Sequence, residues 1–142
     1  VSDMAAQAIY RLDETDFAVW LDSPQLGRPN GLFCRDSLLY VGVGRDQALK
    51  AVHLQTGEIS LIQKLDFGID GLQMDPAGNF ILSAWKGRVV LLTPQKKLYE
   101  LLETADAGIN SADIEFIADQ NRIIVPTFST HRIVSYQMKP VP

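Results

Sequence analysis

The amino-acid sequence predicts an all-β fold, and three observations carry that prediction. Apolar and polar residues alternate in short runs that are rich in β-branched residues, a pattern typical of strands. Asp, Asn, Gly and Pro separate these runs, and they are the residues that favour tight turns. The whole arrangement returns about every forty residues, which indicates a repeat architecture. No stretch has the period of an amphipathic helix.

Three copies of the repeat cover most of the chain. They occupy approximately residues 28–65, 68–103 and 110–140. The pattern predicts four strands in each of the first two copies and three strands in the third, which is therefore incomplete. Residues 8–22 read as the last two strands of a preceding copy. The expected strand count is therefore two, four, four and three.

Four antiparallel strands per repeat are the pattern of a β-propeller blade. We therefore expect one partial β-propeller domain over residues 1–142, with about three blades, half of a six-bladed ring. Three blades cannot close a ring, and an open ring leaves an apolar face of each terminal blade uncovered. Two explanations remain open: the chain is the C-terminal part of a longer propeller, or two copies pair as a homodimer.

Composition and charge exclude several classes of function. The 142 residues are 46% hydrophobic and 21% charged with a net charge of −4, and the basic residues do not cluster, which argues against a nucleic-acid partner. No apolar run reaches bilayer length and no signal-peptide pattern occurs, so we expect a soluble protein without a membrane partner, either cytoplasmic or periplasmic and secreted. Cys34 is the only cysteine, which excludes an internal disulfide, and we expect it to be buried on an inner strand.

Two short motifs stand at the start of successive repeats. "RPNGL" contains Asn30 and Gly31, and "IDGL" contains Asp70 and Gly71. Asn-Gly and Asp-Gly are also the commonest dipeptides of tight hairpin turns. The segments before them, "SPQLGRP" and "DFGI", do not read as strands, however, so a simple hairpin fits poorly. The two motifs are either separate structural turns or two parts of one site near the propeller axis.

Longer stretches around these motifs resemble a known family. "RPNGLFCRDSLLYVGVG" and "GIDGLQMDPAGNFILSAWKGRVVLLTP" resemble the PNG and PDG blades of the gluconolactonase family, six-bladed propellers that include senescence marker protein (regucalcin). The resemblance covers about residues 21–93. "ADIEFI" and "IIVPTFSTHRIVSYQM" are similar to the final blade of a bacterial branch of this family.

The resemblance implies a metal site and an activity. In the family, a divalent ion at the top of the tunnel is held by the matching asparagine and aspartate and by a glutamate from near the N-terminus. Carried over, Asn30 and Asp70 are metal ligands, whereas the sequence around Glu14 does not match the glutamate motif. Ca²⁺ is the first choice because oxygen ligands suit hard cations, with Mg²⁺ or Zn²⁺ as alternatives.

The function implied is part of a metal-dependent lactonase-like hydrolase that opens a sugar lactone or a related ester. We do not expect activity from the isolated half, since the glutamate would come from elsewhere. Asp70 is the candidate general base toward the attacking water, in addition to its role as a ligand. The alternatives are a non-catalytic propeller module that binds a ligand or protein at the tunnel mouth, or a half-propeller that self-associates.

Two further residues, Asp113 and Trp85, are candidates for weaker reasons, whereas the two histidines are not candidates. Asp113 opens the third repeat and could line the tunnel mouth. Trp85 could border the same mouth, although an aromatic residue that anchors a hairpin end is equally consistent. We expect His131 in a surface turn and His53 on a partly exposed strand. The glycines at 42 and 44 do not form a dinucleotide fingerprint, since no helix is predicted after them.

Overall fold

The computed structural model describes residues 1–139, and within them the chain is all-β as predicted. Residues 1–139 contain fourteen strands and four short 3-10 turns, and none of these helical turns has the length and apolar character needed to span a membrane. The chain divides into two compact units, residues 1–69 (unit 1) and the residues from Asp70 onward (unit 2). The prediction of one domain over residues 1–142 stays a prediction, and residues 140–142 of the last predicted repeat lie outside the described residues.

Unit 1 consists of two antiparallel sheets in which consecutive strands pair. A 3-10 turn at Pro24–Leu26 connects the two sheets. The first sheet contains β1 (Ser2–Asp3), β2 (Ala8–Leu12) and β3 (Phe17–Asp22). The second sheet contains β4 (Pro29–Arg35), β5 (Leu38–Val43), β6 (Ala48–His53) and β7 (Ile59–Lys64).

Unit 2 also consists of two antiparallel sheets with consecutive pairing. The third sheet contains β8 (Leu72–Met74), β9 (Phe80–Ala84), β10 (Arg88–Leu92) and β11 (Leu98–Glu103). The last sheet contains β12 (Glu115–Ile117), β13 (Arg122–Thr127) and β14 (Arg132–Gln137). The 3-10 turns of this unit are Ala105–Ala107, Ala118–Gln120 and Phe128–Thr130.

A recurrent irregularity shows which strands are equivalent. The pairing register shifts after Ile9 between β2 and β3, after Leu49 between β6 and β7, and after Val89 between β10 and β11. Because a β-bulge marks the same position in each sheet, β2, β6 and β10 are third strands, and β3, β7 and β11 are fourth strands. The first sheet therefore has no first strand among the described residues, and the last sheet has no fourth.

The expected strand count is wrong in one place. The first sheet has three strands where two were predicted. The strand that was not predicted is β1, which is only two residues long. Two residues cannot display an alternating pattern, so the sequence gives no signal for this strand. The counts of four, four and three for the other sheets are confirmed.

Each unit has an apolar core between its two sheets. In unit 1, Ile9 and the half-buried Trp20 of the first sheet pack with Val41, Val43 and Val52 of the second. In unit 2, the core unites six buried residues, which are Ile81, Val89, Leu91, Ile114, Ile123 and Val125. In both units, sheets that are apolar on one face bury that face against a neighbouring sheet.

The structure shows the exposure of Cys34, His53 and His131. Cys34 is exposed, so the prediction that it is buried is wrong. It lies next to the last residue of β4, where the strand extends past the core and Arg35 is exposed as well. His53 is half-buried at the end of β6, and His131 is exposed in a turn with a φ of 53°, as predicted for both.

Candidate functional site

Unit 2 brings the segments that carry Asp70 and Asp113 together. Asp70 precedes β8 and Asp113 precedes β12, so each stands before the first strand of its sheet. A Cβ atom built on Gly71 would lie 2.8 Å from Oδ1 of Asp113 and 2.6 Å from the backbone nitrogen of Ile114. Only a glycine permits this close approach, which places the two aspartates on adjoining stretches of backbone.

The buried side chain of Ser83 joins these two stretches. Its Oγ accepts a hydrogen bond from the Gly71 N–H at 2.7 Å and donates one to the carbonyl of Ala112 at 2.6 Å. The Ser83 backbone pairs with the same segment, since the Asp70 N–H donates to its carbonyl at 2.8 Å. One fully buried serine on β9 therefore fixes the backbone positions of both aspartates.

The two aspartates differ in exposure. Asp70 is half-buried and Asp113 is exposed. Oδ1 of Asp113 accepts a hydrogen bond from the following N–H, that of Ile114, at 2.9 Å. Carboxylates on adjoining backbone segments can share a cation or hold a water between them, and this is the chemistry that the arrangement offers.

Trp85 and Phe128 lie in the turns at the same end of unit 2. Trp85 follows β9 and Phe128 follows β13, and their ring centroids are 5.3 Å apart with the planes tilted by 53°. Both rings are exposed. Asn110 links the two turns, because its Nδ2 donates to the Trp85 carbonyl at 3.2 Å and its Oδ1 accepts from the Ser129 N–H at 3.2 Å.

Sequence reasoning missed Ser83 and Phe128 as parts of this region. Phe128 did have a signal, because it follows "IIVPT" as Trp85 follows "FILSA" in the preceding repeat. The signal for Ser83 was weaker: it is one polar residue in an apolar run. Nothing in that run indicates which backbone groups its hydroxyl meets.

Asn30 lies in unit 1, at the second position of β4, and is half-buried. Its backbone carbonyl accepts a hydrogen bond from Oγ of Ser2 at 2.7 Å. The pairing of β4 with β5 shifts between Pro29 and Leu32, so the motif falls at an irregular point of the sheet. Asn30 belongs to unit 1 and Asp70 to unit 2, and their convergence on one site stays a prediction.

A buried lysine fixes the loop that leads to Asn30. The ammonium group of Lys50 donates to the carboxylate of Asp46 and to the carbonyl of Gln25. The hydrogen bond from Lys50 is the largest cause that lowers the pKa of Asp46 from its usual value. The loop and the β5–β6 turn are joined further by the Arg45 N–H, which donates to the carbonyl of Gly27 at 2.9 Å.

The donor atoms suit a hard cation only in part. Asn30, Asp70 and Asp113 offer amide and carboxylate oxygens, which Ca²⁺ and Mg²⁺ prefer. Within residues 1–139, however, no group of three or more His, Cys, Asp or Glu side chains is arranged to hold a metal ion.

Comparison with solved structures identifies the fold. A streptogramin B lyase matches with a TM-score of 0.63 and 17% identity over 98% of this chain and 49% of its own. A protein provisionally described as a gluconolactonase matches with a TM-score of 0.68 and 20% identity over 93% of this chain and 46% of its own. The computationally designed Ika4 protein matches with a TM-score of 0.61 and 12% identity over 86% of this chain and 74% of its own.

These matches confirm the predicted fold class, an all-β chain built from β-propeller blades. The chain spans about half the length of the lyase and of the gluconolactonase-like protein. No protein-family model matches the sequence, and no curated protein matches it. At these identities the likeness shows the fold alone.

Proposed function

We propose that this chain contributes Asp70, together with Asn30, to a metal-dependent lactonase-like site in a completed propeller, where a sugar lactone or a related ester is opened. The observation that supports this proposal is the arrangement around Gly71. There the buried Ser83 hydroxyl holds two aspartate-bearing segments together at the start of neighbouring first strands. The resemblance of the "PNG" and "DG" motifs to the gluconolactonase family supports it independently.

Each residue has a distinct role in this proposal. Asp70 is a ligand and the general base that takes a proton from the attacking water. Asn30 is a neutral oxygen ligand, and Asp113 accepts a hydrogen bond from water or from a substrate hydroxyl. A divalent ion, Ca²⁺ before Mg²⁺ or Zn²⁺, supplies polarisation of the ester carbonyl when it is bound. The remaining ligands come from outside the described residues.

Calorimetric titration of the assembled protein with CaCl2 tests the proposal. Asp70→Asn removes a charged donor and should weaken binding by at least about tenfold, with a smaller loss for Asp113→Asn. Asp119→Asn is the matched control, because it removes the same charge beyond the other end of β12. A wild-type protein without Ca²⁺ affinity, or an Asp70→Asn variant that binds normally, would contradict the metal site. Acid release from a sugar lactone, measured in parallel, tests the reaction.

A non-catalytic binding module is the second candidate, and the exposed Trp85–Phe128 pair favours it. Exposed aromatic rings held in place by hydrogen-bonded turns are typical of binding surfaces. This candidate predicts that ligand binding persists in EDTA and weakens in Phe128→Ala. The lactonase proposal predicts that EDTA abolishes function.

A further inference from the structure

Three first strands enter their sheets through the same irregularity. In the second sheet, Asn30 and Gly31 lie together opposite Gly42, because the pairing of β4 with β5 shifts between Pro29 and Leu32. Two residues of one strand that face a single residue of its partner form a β-bulge, and bulges re-aim side chains and are common beside active sites. The bulge of the second sheet therefore falls on Asn30.

The third sheet has the same bulge at Asp70 and Gly71. The Asp70 N–H donates to the carbonyl of Ser83 at 2.8 Å, and the Ser83 N–H donates to the carbonyl of Gly71 at 3.0 Å. Regular pairing of β8 with β9 begins at the next residue, Leu72. Two residues again face one, so Asp70 holds the place in this sheet that Asn30 holds in the second sheet.

The last sheet repeats the bulge at Asp113 and Ile114. The Ala112 N–H donates to the carbonyl of Pro126 at 3.1 Å, and regular pairing of β12 with β13 begins at Glu115. Between these two points the first strand has two residues, whereas β13 has one. The first residue of this bulge, Asp113, therefore holds the equivalent place in the last sheet, although no glycine follows it.

The fold uses only one oxygen of the Asp113 carboxylate. In the third sheet, the Ser83 hydroxyl accepts the N–H of the second bulge residue, Gly71. The residue opposite the bulge of the last sheet is Val125, which has no hydroxyl group, and Oδ1 of Asp113 itself accepts the corresponding N–H, that of Ile114, at 2.9 Å. Asp113 is exposed, and its Oδ2 makes no hydrogen bond within residues 1–139. This oxygen can therefore accept a hydrogen bond from a bound molecule.

The two segments that carry these aspartates have an excess of negative charge. Residues 69–74 and 110–117 contain three acidic residues, Asp70, Asp113 and Glu115, and no basic residue. Nε2 of Gln73 donates a hydrogen bond to Oε2 of Glu115 at 3.2 Å, which links the two segments. The first basic residue after β9 is Lys86, in the turn that leads to β10. A molecule bound at these segments therefore meets hydrogen-bond acceptors and negative charge.

We infer that Asp113 distinguishes the neutral substrate from its acidic product in the site that Asp70 forms, an inference that rests on the proposed function. Hydrolysis adds one water to a neutral sugar lactone and breaks the bond between the carbonyl carbon and the ring oxygen. The product is a hydroxy acid, which releases its proton at neutral pH. A hydroxyl group of the lactone donates a hydrogen bond to Asp113, whereas the charge of Asp113 repels the new carboxylate. Asp113 thus selects hydroxylated lactones as the substrate class and favours release of the acid.

Steady-state kinetics of the assembled protein, with and without added product, tests the inference. Asp113→Asn should raise the KM for a sugar lactone about fivefold and lower the inhibition constant of the corresponding sugar acid about threefold, with kcat changed by less than about twofold. The KM for a lactone without hydroxyl groups should not change. Asp113→Glu keeps the charge, so it should keep the wild-type inhibition constant. Asp119→Asn is the matched control, because it removes the same charge beyond the other end of β12.

Thermal unfolding separates this role from a structural one. Asp113→Asn keeps an Oδ1 acceptor for the Ile114 N–H, so it should melt at the wild-type temperature. Added salt should reduce the difference between the two inhibition constants, because it screens the repulsion. Three results with an active wild type would overturn this inference alone: unchanged constants in Asp113→Asn, equal changes in Asp119→Asn, or a less stable Asp113→Asn that loses both lactones equally. A wild type that opens no lactone would overturn the proposed function and this inference together.

Discussion

The loop that leads to Asn30 in unit 1 and the loop that leads to Asp113 in unit 2 hold equivalent places, each between a fourth strand and the next first strand. Each contains a 3-10 turn that ends at a left-handed glycine, Gly27 with a φ of 59° and Gly108 with a φ of 66°. Different interactions hold them. A partly buried ion pair of Lys50 with Asp46 holds the first, and the hydroxyl groups of Thr104 and Ser111 hold the second.

The hydroxyl network of unit 2 is extensive. Oγ1 of Thr104 donates to the carbonyl of Ile109 at 2.8 Å, and Oγ of the buried Ser111 donates to the carbonyl of Ala84 at 2.7 Å. Hydroxyl groups carry no charge at ordinary pH, whereas the Asp46 carboxylate is ionised at neutral pH and its pKa, lowered by the hydrogen bond from Lys50, lies below the usual 3.8. An ion pair that acid weakens therefore helps to hold the loop of unit 1, whereas the hydrogen bonds of Thr104 and Ser111 in unit 2 do not depend on a charge.

The largest expected effect is in unit 2, from Ser83→Ala. The change leaves the Gly71 N–H and the Ala112 carbonyl without their partner in a fully buried place, and we expect the free energy of unfolding to fall by about 3 kcal/mol. Urea unfolding of the variant measures this loss. Ser60→Ala is the control, because its exposed hydroxyl makes one long bond of 3.4 Å, and it should cost less than about 0.5 kcal/mol. Equal losses in the two variants would contradict this account of Ser83.

An effect of intermediate size is expected when the two left-handed glycines are replaced by alanine, and its size should differ between them. A Cβ at Gly27 would lie 2.8 Å from Oδ2 of Asp46, whereas at Gly108 nothing lies within 4 Å. Gly108→Ala should cost about 1 kcal/mol for the backbone conformation alone. Gly27→Ala should cost about 2 kcal/mol, because the Asp46 carboxylate must move and its bond to Lys50 is disturbed. Thermal unfolding of both variants tests the difference, which should vanish in an Asp46→Ala background.

Much of this architecture is local in origin and could be predicted. Strand alternation and turn residues are properties of short segments. They predicted the sheets of the repeats, and they predicted that Asp70 and Asp113 each stand before the first strand of a sheet. The exposure of Cys34 was not predictable, because it depends on how far β4 extends past the core. The partners of Ser83 and Lys50 were not predictable either, since both side chains meet backbone carbonyls more than twenty residues away in the sequence.

The smallest effect comes from Lys50→Met, and it should depend on pH. Methionine keeps the apolar packing of the buried lysine stem but removes the donor to Asp46 and Gln25, so we expect a loss of about 1 kcal/mol at pH 7. Lys50 lowers the pKa of Asp46 below its usual 3.8, so the ion pair stabilises the folded state above that pH and loses its contribution as the pH falls through the lowered pKa. Wild type and variant should therefore differ in free energy of unfolding at pH 7 and converge in strong acid.

Hydrogen exchange of the Arg45 amide, which bonds to Gly27, follows the loop directly, and the Gly71 amide in unit 2 should show no matching pH-dependent difference. A gap between the two proteins that stays constant down to strong acid would mean that packing of the lysine stem, and not its charge, holds the loop of unit 1.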